Sequence, residues 1–288
     1  MLCSLPNRHR NFKTLKVSDY VKRLEHAGIQ NAYQESLWLI SHALGVSHSV
    51  ILARDSLSDD ECALIEELIS RRIEGEPLQY ILGEADFYGR DFHVGSGVLI
   101  PRRDTETLIE AMKFFAGHDE SFCFADWGTG SGCIAITVLL EFPNSSAFMI
   151  EQSEDAITFA RMNLERYNLT QRAKILSRLE DVKHKCRFIV SNPPYIPSDE
   201  IDGLMKTVRG YEPRSALDGG QDGMNFYRLI MNRSLNVLDE NGYLIFETGN
   251  MNQVHELESV SDDFVFVREV YDANDFPRCI VLRKRVNE

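Results

Sequence analysis

The sequence predicts an α/β protein: a mostly parallel sheet covered on both faces by helices, preceded by a small helical domain. Three observations predict it. Short apolar segments recur at 121–126, 147–151, 173–177, 186–191, 242–247, 264–270 and 278–284, with helical patterns between most of the early ones. The stretch 15–80 shows helical periodicity alone. A glycine-rich turn, "GTGSG", follows the first apolar segment, at the sheet edge where such folds bind ligands. The 288-residue chain is 43% hydrophobic and 10% aromatic, enough for a medium domain with a filled core plus a small one.

The helical part comes first. "VSDYVKRLEHAG" has Ser18 as a candidate cap, Val21 and Leu24 on one face, and Gly28 as a stop. "NAYQESLWLISHALG" places Ala32, Leu37, Leu39, Ile40 and Leu44 at mostly helical spacing and ends at Gly45. In "SDDECALIEELISRRIEG", Ser58 and Glu61 form a capping box. Leu64, Ile65, Leu68 and Ile73 supply the apolar stripe there, and Gly75 and Pro77 close the helix. Nothing in these helices has a catalytic pattern. Arg8, Arg10, Lys13, Lys16, Lys22 and Arg23 form a local basic cluster. "ADFYGRDFHVGSGVLIP", aromatic and β-branched but broken by glycines, predicts a hairpin. A helix at about 104–116 then leads into the alternating strands and helices. Only "YDANDFP" separates the last two strands, so the final one is expected to run antiparallel to its neighbour. The expected organisation is a helical domain over 1–84, a β-hairpin linker over 85–103 and a catalytic domain over 104–288.

Charge and motif content narrow the function. The net charge is −13, which gives little electrostatic attraction for long nucleic acid, because phosphate contacts supply much of that affinity. Six cysteines include no C-x-x-C pair, and the eight histidines show no H-E-x-x-H spacing, so no metal site is expected. The N-terminal stretch lacks an uninterrupted apolar core, and no window reaches membrane-spanning length. These features predict a soluble protein in a reducing, cytoplasmic setting.

In "FADWGTGSGCIAI", Gly128, Gly130 and Gly132 let the chain turn tightly against a ligand. A helix beginning near Ser131 presents free N–H groups there. The loop lacks the G-K-[ST] ending of a triphosphate site. Glu151 ends the second strand, 19 residues beyond Gly132, where a carboxylate can accept both hydroxyls of a ribose. This pair fits a dinucleotide and S-adenosylmethionine equally. Asp126 beside the loop is a candidate to orient its N–H groups or to cap the helix. Glu247, at a later strand end, is a candidate to support the pocket.

"CRFIVSNPPYIP" separates the two cofactors. Each proline fixes φ and lacks an N–H, and Pro193 holds Asn192 out of the helical region. The Asn192 side-chain oxygen and the Pro193 carbonyl then form two acceptors a short distance apart. Such a pair grips both hydrogens of an –NH2 group and aims its lone pair at a third point. Acceptors so oriented stabilise the positive charge that develops when an amide or ring amine attacks a methyl group. Tyr195 can line a flat substrate.

With these segments identified, the chain resembles the N5-glutamine methyltransferases that modify bacterial peptide chain release factors. The likeness runs from about Pro77 to Arg283, through "PLQYILGEADFYGRDFHVGSGVLIPRRDTETLIE", "DWGTGSGCIAI", "IVSNPPYIP" and "YEPRSALDGGQDGMNFYR". The first 76 residues resemble the family's variable helical domain. The resemblance implies a class I S-adenosylmethionine-dependent methyltransferase fold, with a Rossmann-like, mostly parallel sheet. It implies that Gly128, Thr129, Gly130, Ser131 and Gly132 wrap the methionine part of the cofactor, that Glu151 holds the ribose and that Leu179 covers the adenine. It implies that Asn192 and Pro193 bind the target amide and carry the catalysis, with Asn192 also bordering the cofactor and Pro194 and Tyr195 completing the pocket. The implied target is the glutamine of the Gly-Gly-Gln motif in class 1 release factors, with the helical domain helping to dock that protein. N-P-P-Y is shared with N6-adenine methyltransferases of DNA and RNA, which is the alternative reading.

The chain departs from the family pattern at Trp127, where leucine is usual, and at Arg103, where a second proline is usual. Arg178 stands where an acidic residue is common and cannot accept a hydrogen bond from the adenine amine. Glu151 replaces the commoner aspartate. Between 202 and 223 the glycines and charges fit a lid, with Tyr211, Glu212 and Pro213 expected nearest the substrate.

Overall fold

The computed structural model describes residues 16–54, 56–259 and 262–285. The chain divides into two compact units between Leu82 and Gly83.

The first unit is all helical: α1 (Val17–His26), α2 (Ala32–Leu44), α3 (His48–Leu52), α4 (Asp59–Glu74) and α5 (Leu78–Leu82). Helix α1 begins one residue before the expected Ser18 cap. Lys16 is its N-cap, and the Asp19 carboxylate accepts the Lys16 backbone N–H at 2.9 Å. In α4 the Ser58–Glu61 capping box forms as expected, and Gly75 takes the left-handed C-cap. The core-facing residues of α4 are Ile65 and Ile69, with Leu68 packed beside them. Leu64, 55% exposed, and Ile73, 38% exposed, are therefore turned away from the core, contrary to the expected stripe. In the basic cluster, Arg23 binds both carboxylate oxygens of Glu66 and Lys22 is exposed. Arg8, Arg10 and Lys13 lie outside the described residues. No helix among the described residues is long and apolar enough to cross a membrane.

The second unit opens with the hairpin β1 (Glu84–Phe87) and β2 (Arg90–His93). Tyr88 and Gly89 both have positive φ, the geometry of a two-residue hairpin turn. A 3-10 turn at Arg103–Thr105 leads into α6 (Glu106–Lys113). The alternating part follows: β3 (Cys123–Trp127), α7 (Cys133–Glu141), β4 (Ser146–Ile150), α8 (Glu154–Arg166), β5 (Ala173–Leu176) and β6 (Cys186–Ser191). After a short α9 (Lys206–Arg209) come α10 (Asn225–Ser234), β7 (Leu238–Glu247), α11 (Met251–Glu258), β8 (Phe264–Tyr271) and β9 (Pro277–Lys284).

These strands form one seven-stranded sheet in the order β5-β4-β3-β6-β7-β9-β8. β3 through β7 pair in parallel, and β9 runs antiparallel to both β7 and β8. The near-continuous burial of β6 and of the end of β7 follows from helices covering both faces. One core cluster lies under α6, α7 and α8, and the other under α10 and α11. The chain order reverses between β3 and β6, so the ends of these two strands border a crevice. Buried Asn163 of α8 ties the hairpin to that crevice. Its amide donates to the His93 and Ser131 carbonyls at 3.0 and 2.8 Å, and its oxygen accepts the His93 N–H at 2.7 Å.

Candidate active site

The glycine loop turns immediately after β3. Gly128, Gly130 and Gly132 have φ values of 72°, 56° and 83°, a region L-residues rarely adopt. A side chain at Gly132 would place its Cβ 2.8 Å from Met149 Cε and 3.2 Å from Ile136 Cδ1. Helix α7 starts at Cys133, slightly later than expected, with Gly132 as its N-cap. The capping carboxylate is Asp126. One of its oxygens, Oδ2, accepts the Thr129 hydroxyl at 2.6 Å and the Ala135 N–H at 3.2 Å. The other, Oδ1, is buried with no partner among the described residues.

Burial therefore pushes the Asp126 carboxyl up to about 7, against the pull of Thr129 and Ala135. The native state retains a proton that the unfolded chain releases near pH 4, so this group's contribution to stability falls as pH rises from about 4 through 7. Asp126→Asn keeps one acceptor for Thr129 and Ala135. We expect the variant to lose roughly 1–3 kcal/mol less stability than wild type between pH 5.5 and 8, measured by urea denaturation. Equal pH dependence of the two proteins would contradict the assignment.

Glu151 follows β4. Its Oε2 accepts the Gly130 N–H at 3.0 Å, and its Oε1 accepts the N–H groups of Gln152 and Ser153 at 2.8 and 3.0 Å. The carboxylate thus bridges the glycine loop and the start of α8. The longer side chain, compared with aspartate, gives it this reach. Leu179 is buried in the wall, and Arg178 points its guanidinium at Asp181. Trp127 packs its ring 5.5 Å from that of Phe226 on α10. These groups line a cavity of about 560 Å³ that extends from Val98 past Gly128 and Glu151 to Asn192. Trp127 therefore forms part of the cavity wall.

The Asn-Pro-Pro-Tyr turn closes the other end. Asn192 follows β6 directly. Its Nδ2 donates to the Thr105 hydroxyl at 3.1 Å, which leaves Oδ1 for the cavity. Pro193 is buried, and no backbone donor among the described residues is bonded to its carbonyl. Pro194 lines the large cavity. Tyr195 lines a second cavity of about 110 Å³, together with Leu99, Arg102, Asn192 and Val208. The two cavities share Leu99, Asn192 and Ala216.

The turn is gripped from outside. Gln253 donates to the Tyr195 carbonyl at 2.7 Å, and at the 196–218 bridge the Gly219 N–H donates to the Ile196 carbonyl at 2.8 Å while the Ile196 N–H donates to the Leu217 carbonyl at 3.0 Å. At Gly223 a Cβ would lie 2.4 Å from the Tyr195 oxygen. The Tyr195 hydroxyl sits 3.4 Å from Glu247 Oε1. In the 202–223 segment, Glu212 does not face a substrate with free oxygens: its buried carboxylate accepts the Ile100 N–H at 3.3 Å and pairs with Arg102. Pro213 lines the large cavity. Sequence reading missed Thr105, Phe226 and Leu99. Thr105 lies within the quoted "PRRDTETLIE", but its bond to Asn192 spans 87 residues and no local pattern shows it.

Comparison with known proteins agrees with this architecture. Residues 17–83 match the PrmC N-terminal domain, and residues 103–206 match the Methyltransferase small domain. Relatives include the release factor glutamine methyltransferase of Geobacter sulfurreducens, 41% identical over 81% of this chain and 83% of that protein. The enzyme of the same name from Koribacter versatilis is 34% identical over 92% of this chain and 95% of its own length. Among solved structures, the hMettl16 catalytic domain in complex with MAT2A 3'UTR hairpin 6 superposes with a TM-score of 0.53 at 16% identity, covering 80% of this chain and 83% of that one. A methyltransferase from Pyrococcus furiosus gives 0.51 at 14% identity, covering 75% and 98%. These last two share the fold. The glycine cradle, the Glu151 carboxylate and the apolar wall at Leu179 fit S-adenosylmethionine, the methyl donor of such domains. Both parts of the chain match the corresponding domains, and relatives above 30% identity span most of its length, so the chain belongs to the release factor glutamine methyltransferase family.

Proposed function

We propose that the protein methylates N5 of the glutamine side chain in the Gly-Gly-Gln motif of class 1 peptide chain release factors, in the cytoplasm. The observation that carries this reading is the junction of the two cavities at Asn192, with its Oδ1 released to the pocket by the bond to Thr105. A narrow cavity of about 110 Å³ suits one linear side chain better than a fused two-ring base. The net charge of −13 also favours a protein substrate over nucleic acid.

Bound S-adenosylmethionine supplies a methyl group on a positively charged sulfur. Gly128, Thr129, Gly130, Ser131 and Gly132 hold its methionine end, Glu151 its ribose and Leu179 its ring. Asn192 Oδ1 and the Pro193 carbonyl accept the two N–H bonds of the target amide, while Pro194 and Tyr195 wall the pocket. Held so, the nitrogen lone pair is aimed at that methyl group, which the cofactor would give up to nitrogen while its sulfur kept the bonding pair. The clamp stabilises the charge gathering on nitrogen and supplies the alignment. One nitrogen proton then leaves to solvent, and no strong base is needed because the alkylated nitrogen is acidic.

The test is methyl transfer from labelled cofactor to purified release factor, to its Gly-Gly-Gln glutamine-to-alanine variant, and to unmethylated DNA and RNA. Label on the wild-type factor alone is expected. Label on nucleic acid would replace this reading with base methylation.

A further inference from the structure

We propose that Thr105 and Glu247 are positioning residues that fix which end of the Asn192 amide faces the substrate. The proposal rests on the glutamine reading above. Asn192 is useful to an incoming –NH2 group only if it presents oxygen; if the amide turned over, donor would meet donor. Nothing intrinsic to an asparagine chooses between the two orientations, because they have the same shape. The choice must come from the group behind it.

That group is Thr105, buried at the turn before α6, which accepts from Asn192 Nδ2 at 3.1 Å. A hydroxyl can donate or accept, so Thr105 alone does not settle the direction either. Behind it lies Glu247, at the end of β7 and 1% exposed. The Thr105 hydroxyl interacts with this carboxylate and favours its ionised form. Glu247 Oε2 is buried and has no hydrogen-bond partner among the described residues. An ionised carboxylate only accepts. It draws the Thr105 hydrogen toward itself, which turns the hydroxyl oxygen toward Asn192 and commits Nδ2 to that bond. Oδ1 is then left for the pocket. A protonated Glu247 can donate instead, and the whole chain of bonds can reverse.

Several groups face Glu247. Arg278 of β9 favours its ionised form, as does the Tyr195 hydroxyl, while Asp104 before α6 opposes it. The Tyr227 hydroxyl of α10 is bound to the Glu247 backbone carbonyl at 2.7 Å. The Cys133 and Cys279 thiols lie within its field. Burial outweighs the favourable partners and holds the carboxyl at about 7. The orientation of the clamp is therefore balanced near neutral pH.

The experiment compares wild type with Thr105→Val, Thr105→Ser and Glu247→Gln, measuring kcat on release factor from pH 5.5 to 9 and equilibrium binding of S-adenosylmethionine. Thr105→Val keeps shape and removes the hydroxyl; Thr105→Ser restores it. We expect kcat at pH 8 to fall roughly 10- to 100-fold in Thr105→Val and only a few-fold in Thr105→Ser, with cofactor affinity little changed in both. Wild-type kcat should rise with pH through a group near 7, and that limb should vanish in Thr105→Val and Glu247→Gln. Equal losses in the valine and serine variants, or a limb that persists in Glu247→Gln, would overturn the relay. If Glu247→Gln fails to fold, the paired threonine variants and their profiles decide alone. Failure of the glutamine reading would show separately, as absent label on release factor in wild type.

Discussion

Asn192→Ala is expected to reduce kcat for methyl transfer roughly 10²–10³-fold, the usual cost of removing one preorganised polar contact from a reacting centre. The affinity for S-adenosylmethionine should stay nearly constant, because Gly128, Gly130, Glu151 and Leu179, the proposed cofactor contacts, line the cavity without help from the Asn192 side chain. Stability should also change little. Asn192 is only partly buried, and its single side-chain bond to Thr105 can be replaced by water entering from the cavity. The combination separates catalysis from folding: calorimetric cofactor binding and the thermal midpoint remain, while turnover on release factor disappears. Turnover within about threefold of wild type would remove Asn192 from the clamp.

Glu151→Ala should act on the opposite half of the site. The carboxylate accepts three backbone N–H groups, one in the glycine loop and two at the start of α8. Its removal takes away the proposed ribose acceptor and also releases Gly130 from the carboxylate that holds it beside the cavity. Hydrogen bonds to a charged group contribute about 1.5–3 kcal/mol each when buried. Glu151 is partly open, so we expect the Kd for S-adenosylmethionine to rise roughly 30- to 100-fold, measured by titration calorimetry. At saturating cofactor, kcat should recover to within a few-fold of wild type. Glu151→Asp is the informative companion. Its shorter side chain can meet a ribose but not Gly130 as well, so its loss should be intermediate. An aspartate variant as weak as alanine would mean that the bridge to Gly130 matters more than the ribose contact.

The sequence carried much of this because its strongest signals were local. The strand at 186–191, the Ser58–Glu61 box and the Gly45 and Gly75 stops depend on neighbours within one turn or one strand, and each formed where the pattern put it, while the strand expected at 173–177 ends one residue earlier at Leu176. The failures are of two kinds. The cap expected at Ser18 lies two residues earlier, at Lys16, and Leu64 sits one position from the buried Ile65; one position on a helix turns a side chain by about 100°. Thr105, Phe226 and the employment of Glu212 were invisible for a different reason. Each acts through a partner far along the chain: Asn192 for Thr105, Trp127 for Phe226, Ile100 and Arg102 for Glu212. Residue type and spacing show what a side chain can do, whereas the fold decides what it meets.

The position of β9 bears on how the enzyme comes to exist at all. This strand follows β8 in the chain but lies between β7 and β8 in the sheet. A growing chain therefore completes β7 while its outer edge is still bare, and must keep β8 from pairing there before β9 emerges. Exposed strand edges of this kind invite mispairing. The same delay reaches the pocket, since Arg278, which favours ionised Glu247, arrives only with β9. Nascent chains that end before residue 277 would carry every residue of the glycine loop and of Asn-Pro-Pro-Tyr, yet lack the strand that closes the sheet beside them. Competence in methyl transfer should thus appear late and abruptly during synthesis, after the recognisable motifs have long been made.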